Sequence, residues 1–328
     1  VKPLRHAPRL LLLLPVALLA LTVGACSSED GDSAAKSSTP TTTESTTTVP
    51  ALEKACKGKS RHVFVVGVDG LRSDSIEPAD APNLDRLYDS GTSTLHAYAG
   101  GELGTPTQQP TVSGPGWATI LTGTWSNRHG ILDNEFATWN VVEPNFLERI
   151  NQIDPDLRLA VMNQWIPVRV LVHGAAERDE VGLGADVAGF AVDEVTANDP
   201  AVVFTHFDDV DHAGHDTGYG PDNPAYLAAV SSVDTLVGTV LDAIEARPGR
   251  DDECWATIVV TDHGGIGTGH GGQTPEERDI PLIVAGDGIE ATEVAEGPGH
   301  DSVAPTALTY LDLPIDATWG WPEPFGVS

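Results

Sequence analysis

The chain has 328 residues, 40% of them hydrophobic, enough for one large α/β domain or two modest ones; it carries a net charge of −30 and a pI near 4.4. An acidic surface of this kind repels polyanions, which argues against affinity for nucleic-acid polymers and for anionic lipid. Lysines stand at Lys2, Lys36, Lys54, Lys57 and Lys59 and nowhere from residue 60 onward, which excludes any mechanism needing a lysine in the folded domain.

Lys2, Arg5 and Arg9 precede an apolar run over residues 10–21, and Val23-Gly24-Ala25-Cys26 follows. A basic start, an apolar segment too short for a stable membrane span and small residues before a cleavage point predict a secretory signal. The Val-Gly-Ala-Cys ending resembles a bacterial lipoprotein box. It implies that residues 1–26 are removed up to a lipidated Cys26, so that the protein is exported and held at the cell surface by that lipid alone. An ordinary signal peptide with an incidental cysteine is the alternative. With Cys26 assigned to lipid, Cys56 and Cys254 remain, and an even pair in an exported chain predicts a disulfide, against the alternative of two free thiols. Residues 27–55 are mostly Ser, Thr, Ala, Pro and acidic residues and cannot bury enough surface to offset their ordering, so they are expected to be a flexible tether. Residues 56–328 read as one domain.

That domain opens with Val63-Phe64-Val65-Val66-Gly67-Val68-Asp69-Gly70, an apolar β-branched run that predicts a buried parallel strand ending in a carboxylate. Pro82 or Asn83 then opens a helix whose Leu84 and Leu87 face the sheet. Beyond a Gly- and Pro-rich loop, Thr111-Val112-Ser113-Gly114-Pro115-Gly116-Trp117 leads into an apolar helical turn. A serine there suits a nucleophile, because helix N-terminal amides favour an anion, and it also suits a plain N-cap, which is commoner. Residues 201–207 predict another strand, running into a ligand-rich loop. In that loop Asp211 and His215 stand four apart, with Gly214 expected to turn the chain so that both reach one cation. Asp208 and Asp209 read as a solvated acidic loop and His206 as a packed histidine. Residues 224–247 repeat apolar positions at helical spacing and predict an amphipathic crossover helix. It leads to the strand Ala256-Thr257-Ile258-Val259-Val260, which stops at Thr261-Asp262-His263-Gly264-Gly265, with His270 seven residues beyond His263. Residues 281–286 predict a short strand and 303–311 a last helix. Trp117, Trp139, Trp165 and Tyr219 are candidate pocket aromatics.

Strands alternating with helices predict an α/β fold: a doubly wound, mostly parallel sheet with helices on both faces and ligands at its carboxyl edge. Asp69, Asp211, His215, Asp262, His263 and His270, with the oxygen of Ser113, suffice for two divalent metal ions. Mixed Asp and His ligation suits Zn2+ best, with Mn2+ or Fe as alternatives. Two such ions form a clamp for in-line displacement at phosphorus.

The order of motifs over residues 62–311 resembles the alkaline phosphatase superfamily, most closely its type I phosphodiesterase/nucleotide pyrophosphatase branch. The matching elements are Val-Asp-Gly-Leu-Arg at 68–72, Ala-Pro-Asn-Leu-Asp-Arg-Leu at 81–87, the Ser113 segment, His129-Gly130-Ile131-Leu132-Asp133-Asn134, the Asp211 and His215 pair, and Thr-Asp-His-Gly at 261–264. The resemblance implies a small phosphate-ester substrate, with Asp69, Asp262, His263 and Ser113 on one ion and Asp211, His215 and a third histidine on the other. That histidine is His270, with His300 in reserve. It also implies that Ser113 forms a covalent phospho-serine that is then hydrolysed, while Asn134 donates to a non-bridging phosphoryl oxygen. Gly114 departs from the phenylalanine with which nucleotide-hydrolysing members stack a base. A phosphomonoesterase is the nearest alternative. A sulfatase fits less well, because Trp117 stands where its nucleophile segment carries arginine and the domain has no lysine. A non-catalytic surface lipoprotein is the remaining alternative, and the oligomeric state is left open.

Overall fold

The computed structural model describes residues 51–327; the expected signal segment with Cys26 and the expected tether up to residue 50 lie outside the described residues. Eight strands are present: β1 (Ser60–Val68), β2 (Thr92–Tyr98), β3 (Arg158–Asn163), β4 (Arg178–Val181), β5 (Pro200–Phe207), β6 (Glu253–Val260), β7 (Asp279–Gly286) and β8 (Thr292–Glu293). They form one sheet in the order β4-β3-β5-β1-β6-β7-β2-β8. From β4 to β6 all neighbours run parallel, and β7 runs antiparallel to both β6 and β2. The doubly wound, mostly parallel α/β sheet expected from the sequence is the fold. Its centre, β5-β1-β6, is the trio of strands whose apolar runs are plainest in the sequence.

Those runs are continuous because both faces of the sheet are covered. Val63 and Val65 point into a core shared with the helices Ser113–Thr122 and Val303–Tyr310. Phe64 and Val66 point into a second core, built with the helices Pro82–Ser90, Gly184–Ala197 and Pro224–Glu245. A strand buried on both sides has no polar face to show, so it loses the alternation of a half-exposed strand. Asp234 of the long crossover helix accepts from the backbone N–H of Leu84 at 2.7 Å, which satisfies an orphan amide at the start of Pro82–Ser90 and joins the two helices.

Two details bear on the domain boundary. The stretch expected as tether runs through residue 55, yet Ala51–Ala55 is helical and Leu52 is buried in the core, so the folded unit begins five residues before Cys56. The reason is a single apolar side chain: Leu52 packs against Gly288, where any side chain would collide with it. A disulfide joins Cys56 to Cys254 across 198 residues, with their Cα atoms 5.7 Å apart. Since β1 and β6 pair with Arg61 opposite Cys254, the bridge closes the amino-terminal edge of the sheet, away from the carboxyl edge. A loop of that length strongly restricts the unfolded chain.

Candidate active site

Parallel pairing puts the ends of the central strands side by side. β1 and β6 pair up to Gly67 and Val260, so the residues that follow, Asp69 from β1 and Asp262 and His263 from β6, leave the sheet together. β5 pairs on the other flank of β1, with Phe207 opposite Val68. It leads into the helix Asp209–Thr217, where a loop was expected. Asp211 and His215 therefore meet through their i,i+4 placement on one helix face, and no turn at Gly214 is involved. Gly214 is small for another reason: a Cβ there would lie 2.3 Å from the ring of Tyr219. Ser113 is the first residue of its helix, with Val112 at the N-cap position and no side-chain capping bond, so its hydroxyl is not spent as a cap.

One cluster forms around His263. Its Nε2 lies 3.2 Å from Asp262 Oδ2, 3.5 Å from Asp69 Oδ1 and 3.5 Å from Ser113 Oγ. Its Nδ1 lies 2.8 Å from the carbonyl of Gly264. A carbonyl can only accept, so Nδ1 carries the proton and Nε2 presents a lone pair to two carboxylate oxygens. Asp69 Oδ1 and Asp262 Oδ2 have no hydrogen-bond donor among the described residues.

A second cluster has the same logic. Asp211 Oδ2 lies 3.3 Å from His215 Nε2, and the Nε2 atoms of His215 and His270 face each other at 3.1 Å. The Nδ1 of His215 donates to the Thr268 carbonyl at 3.0 Å and that of His270 to the Thr111 carbonyl at 2.9 Å. Both facing nitrogens are therefore acceptors. The two clusters touch: the rings of His263 and His270 stack 3.8 Å apart, and ligand atoms of Asp69, Asp211 and His263 lie within 4.8 Å of one another. Asp211 comes this close because residue 70 is glycine; a Cβ there would stand 2.7 Å from Asp211 Oδ1, and the backbone φ of 68° is one that other residues resist. His300 sits elsewhere, buried with its ring stacked 5.1 Å from that of Trp125.

Acceptors that face acceptors in a buried site repel unless something positive lies between them. Burial, and then the charges of Asp262 and Asp211, push the carboxyl of Asp69 well above its ordinary range; burial and Asp211 do the same to Asp262. Burial and the neighbouring His263 hold His270 down at about 4, so its imidazole is neutral at physiological pH. The donor set fits divalent cations: Asp69, Asp262, His263 and the Ser113 oxygen around one position, and Asp211, His215 and His270 around the other.

Several residues shape these clusters in roles that differ from those expected of them. Trp117 and Tyr219, expected as pocket aromatics, are buried and serve as donors. Trp117 Nε1–H donates to Asp69 Oδ2 at 2.8 Å, and Tyr219 donates to Asp211 Oδ1 at 2.5 Å. His206 lies 3.2 Å from the same Asp69 oxygen, so Oδ2 is held while Oδ1 stays free. Asp208, expected in a solvated loop, is buried against His212 and near Asp69, with its pKa raised to about 6 by burial and by Asp69. The one usable signal was the spacing of Ser113 and Trp117, four apart on a helix and hence on one face. Trp117→Phe keeps an aromatic ring in the core, removes the donor and trims the outer edge of the indole that lies over Gly67. It is expected to weaken divalent-ion affinity about 10- to 100-fold by calorimetric titration. Unchanged affinity would make the indole a space-filler only.

Asn134 meets the Ser113–Thr122 helix directly: its Oδ1 accepts from the backbone N–H of Gly114 at 2.7 Å, which leaves Nδ2 as its free donor. Gly114 is crowded by this loop. A Cβ there would stand 2.3 Å from the Asp133 carbonyl and 2.6 Å from the Trp139 ring, so no larger residue fits. Trp139 donates in turn to the Asp133 carbonyl at 3.0 Å, and Trp165 packs 6.0 Å from it and 6.4 Å from His206.

A central parallel sheet with acid and histidine ligands at its carboxyl edge and a serine at a helix start define the class: an alkaline phosphatase-like α/β protein. A solved protein of the alkaline phosphatase superfamily from Vibrio parahaemolyticus superposes with a TM-score of 0.57 at 16% identity, over 78% of this chain and 67% of that one. A 2-O GAG sulfatase superposes with a TM-score of 0.64 at 13% identity, over 81% and 73%; at such identities the likeness speaks for the fold alone. A family model described as Type I phosphodiesterase / nucleotide pyrophosphatase matches residues 63–166 and 139–273. The chain belongs to that family. Among curated relatives, GPI ethanolamine phosphate transferase 1 of Aspergillus fumigatus is 24% identical over 310 residues, 82% of this chain. The chain spans only 28% of that relative's length.

Proposed function

We propose that the chain is an exported phosphodiesterase that works through a covalent phospho-Ser113 on a site for two divalent ions, with Zn2+ the best match to the ligands. The observation that carries this reading is the uncapped Ser113 hydroxyl at the edge of a cluster in which the lone pair of His263 Nε2 and two carboxyl groups converge. Ser113 Oγ gives up its proton to solvent and attacks phosphorus, the Oγ–P bond forms, the ester P–O bond on the opposite side breaks and the departing oxygen takes up a proton from solvent. Asn134 Nδ2 donates to a non-bridging oxygen, since Gly114 N–H fixes its other end. The amino-terminal end of the Ser113–Thr122 helix faces the same charge and favours it. Divalent ions in the two ligand sets would neutralise the carboxylates, lower the pKa of the serine hydroxyl and stabilise the departing oxygen. Water then cleaves the Oγ–P bond and restores Ser113. The substrate is a small phosphate ester, and the acidic surface argues against nucleic-acid polymers.

Faster turnover of bis-p-nitrophenyl phosphate than of p-nitrophenyl phosphate is the expected result, and a strong preference for the monoester would replace the diesterase reading by a phosphomonoesterase. The similarity to a GPI ethanolamine phosphate transferase favours a second reading, in which the phospho-serine is discharged to an alcohol in place of water. Both share the first half-reaction; product analysis in the presence of an added alcohol separates them. Export through a lipidated Cys26 is part of the proposal. Cys26→Ala should move the protein from the membrane fraction to the soluble one, and an unchanged distribution would count against the lipid.

A further inference from the structure

We infer that the site takes phosphodiesters bearing a long apolar chain, laid along a wall formed by Phe136, Trp139, Trp165 and Ile166 beside Ser113; this rests on the phosphodiesterase reading. The wall is continuous with the reaction centre. Trp139 closes over Gly114, the residue after Ser113, and Trp165 stacks toward His206, which holds Asp69.

Its apolar surface is open to water. Phe136 is 47% exposed, Ile166 58% and Leu132, two residues before Asn134, 59%. Of nine strongly exposed large apolar side chains among the described residues, five (these three, Val142 and Val170) come from the two segments that carry Asn134 and Trp165. Exposed apolar side chains gathered at the mouth of a polar site mark contact with an apolar partner.

The shape of the wall speaks for a flexible chain over a flat base. Sandwiching a base needs parallel faces, whereas Phe136 and Trp139 are inclined at 76° and Trp139 and Trp165 at 65°. The rings present edges to one another and leave an irregular surface that methylenes can follow. At Gly114 there is no room for a stacking side chain, because Asp133 and Trp139 occupy it. Charge points the same way. No lysine is available, Arg128 is paired with Glu143 and Arg169 with Asp179, so the neighbouring segments offer no free cation to a polyphosphate.

The test is a series of p-nitrophenyl alkyl phosphates (methyl, butyl and octyl) beside the p-nitrophenyl ester of thymidine 5′-monophosphate. Each methylene that reaches the wall can raise kcat/KM by up to about fourfold, so the octyl ester should exceed the methyl ester by at least about tenfold. The double variant Phe136→Ser, Ile166→Ser should flatten that ratio without shifting the melting temperature, as both side chains are exposed. A flat series with the methyl ester turned over would overturn the inference and leave the phosphodiesterase reading standing. So would a preference for the thymidine ester over the octyl ester. Failure to hydrolyse any of the diesters would bring down the phosphodiesterase reading and this inference with it.

Discussion

Replacing Ser113 by alanine is expected to reduce ester turnover by on the order of 10³-fold or more while leaving the fold in place, because the proposed mechanism makes its hydroxyl the nucleophile and nothing in the architecture leans on it. Ser113 is buried, but its Oγ makes no capping bond, and the helix behind it is held by Trp117, Ile120 and Leu121 in the core. Its side-chain partner is His263 Nε2, at the long distance of 3.5 Å. Loss of so weak a contact costs little stability, so activity and melting temperature should separate cleanly. Mass spectrometry of acid-quenched wild-type protein should find a phosphate adduct on the peptide containing Ser113 and none in the variant. Turnover near the wild-type rate in Ser113→Ala would remove Ser113 from the mechanism and leave the two ligand clusters in need of another nucleophile.

The second large effect concerns the cations. In metal-free protein the folded-state pKa values of Asp69 and Asp262 are raised well above the ordinary carboxylate range, by burial first and by neighbouring carboxylates second. Between the unfolded and folded values the native state binds more protons than the unfolded state. These groups therefore favour the fold fully below the unfolded value, and that contribution is lost as pH rises through the raised folded values. Chelated protein should accordingly melt at lower temperature as pH rises beyond the ordinary carboxylate range. Divalent ions should reverse the trend, because they bind the ionised carboxylates and displace protons, adding about 2.7 kcal/mol at a free concentration 100 times Kd.

Asp262→Asn sharpens the test. The amide oxygen can still accept from Gly70 N–H, as Asp262 Oδ1 does at 3.3 Å, so the turn is kept and one buried charge is removed. Chelated Asp262→Asn should melt above chelated wild type near pH 8, and it should gain much less from added ions. If chelated wild type instead gained stability with rising pH, protein donors would have to satisfy these carboxylates and the cation reading would fail.

Much of this arrangement is legible along the chain because a parallel sheet converts sequence position into spatial position. An apolar run such as residues 63–68 must be covered on both faces, and the residue after it must emerge at the carboxyl edge beside its neighbours. Asp69, Asp262 and His263 are therefore readable as a group before any contact is known. Asp211 and His215 are readable as a pair at spacing four, although the local backbone is helical where a loop was expected, because a short polar segment with Gly214 gives little periodicity to read.

What the sequence by itself determined is the class of fold, the order of its central strands' ligands and the serine at a helix start, since each follows from residue type and local spacing. Tertiary structure alone decided how those ligands are held: the indole of Trp117 on Asp69, the phenol of Tyr219 on Asp211, and the carbonyls of Gly264, Thr268 and Thr111 on the Nδ1 atoms of His263, His215 and His270. It also decided that Trp139 closes over Gly114 and that Leu52 belongs to the core. The physical reason is range. A strand or a helix is set by neighbours a few residues away, whereas Trp117 and Asp69 are 48 residues apart and His270 and Thr111 are 159 apart, and such partners meet only once the sheet has brought their segments together.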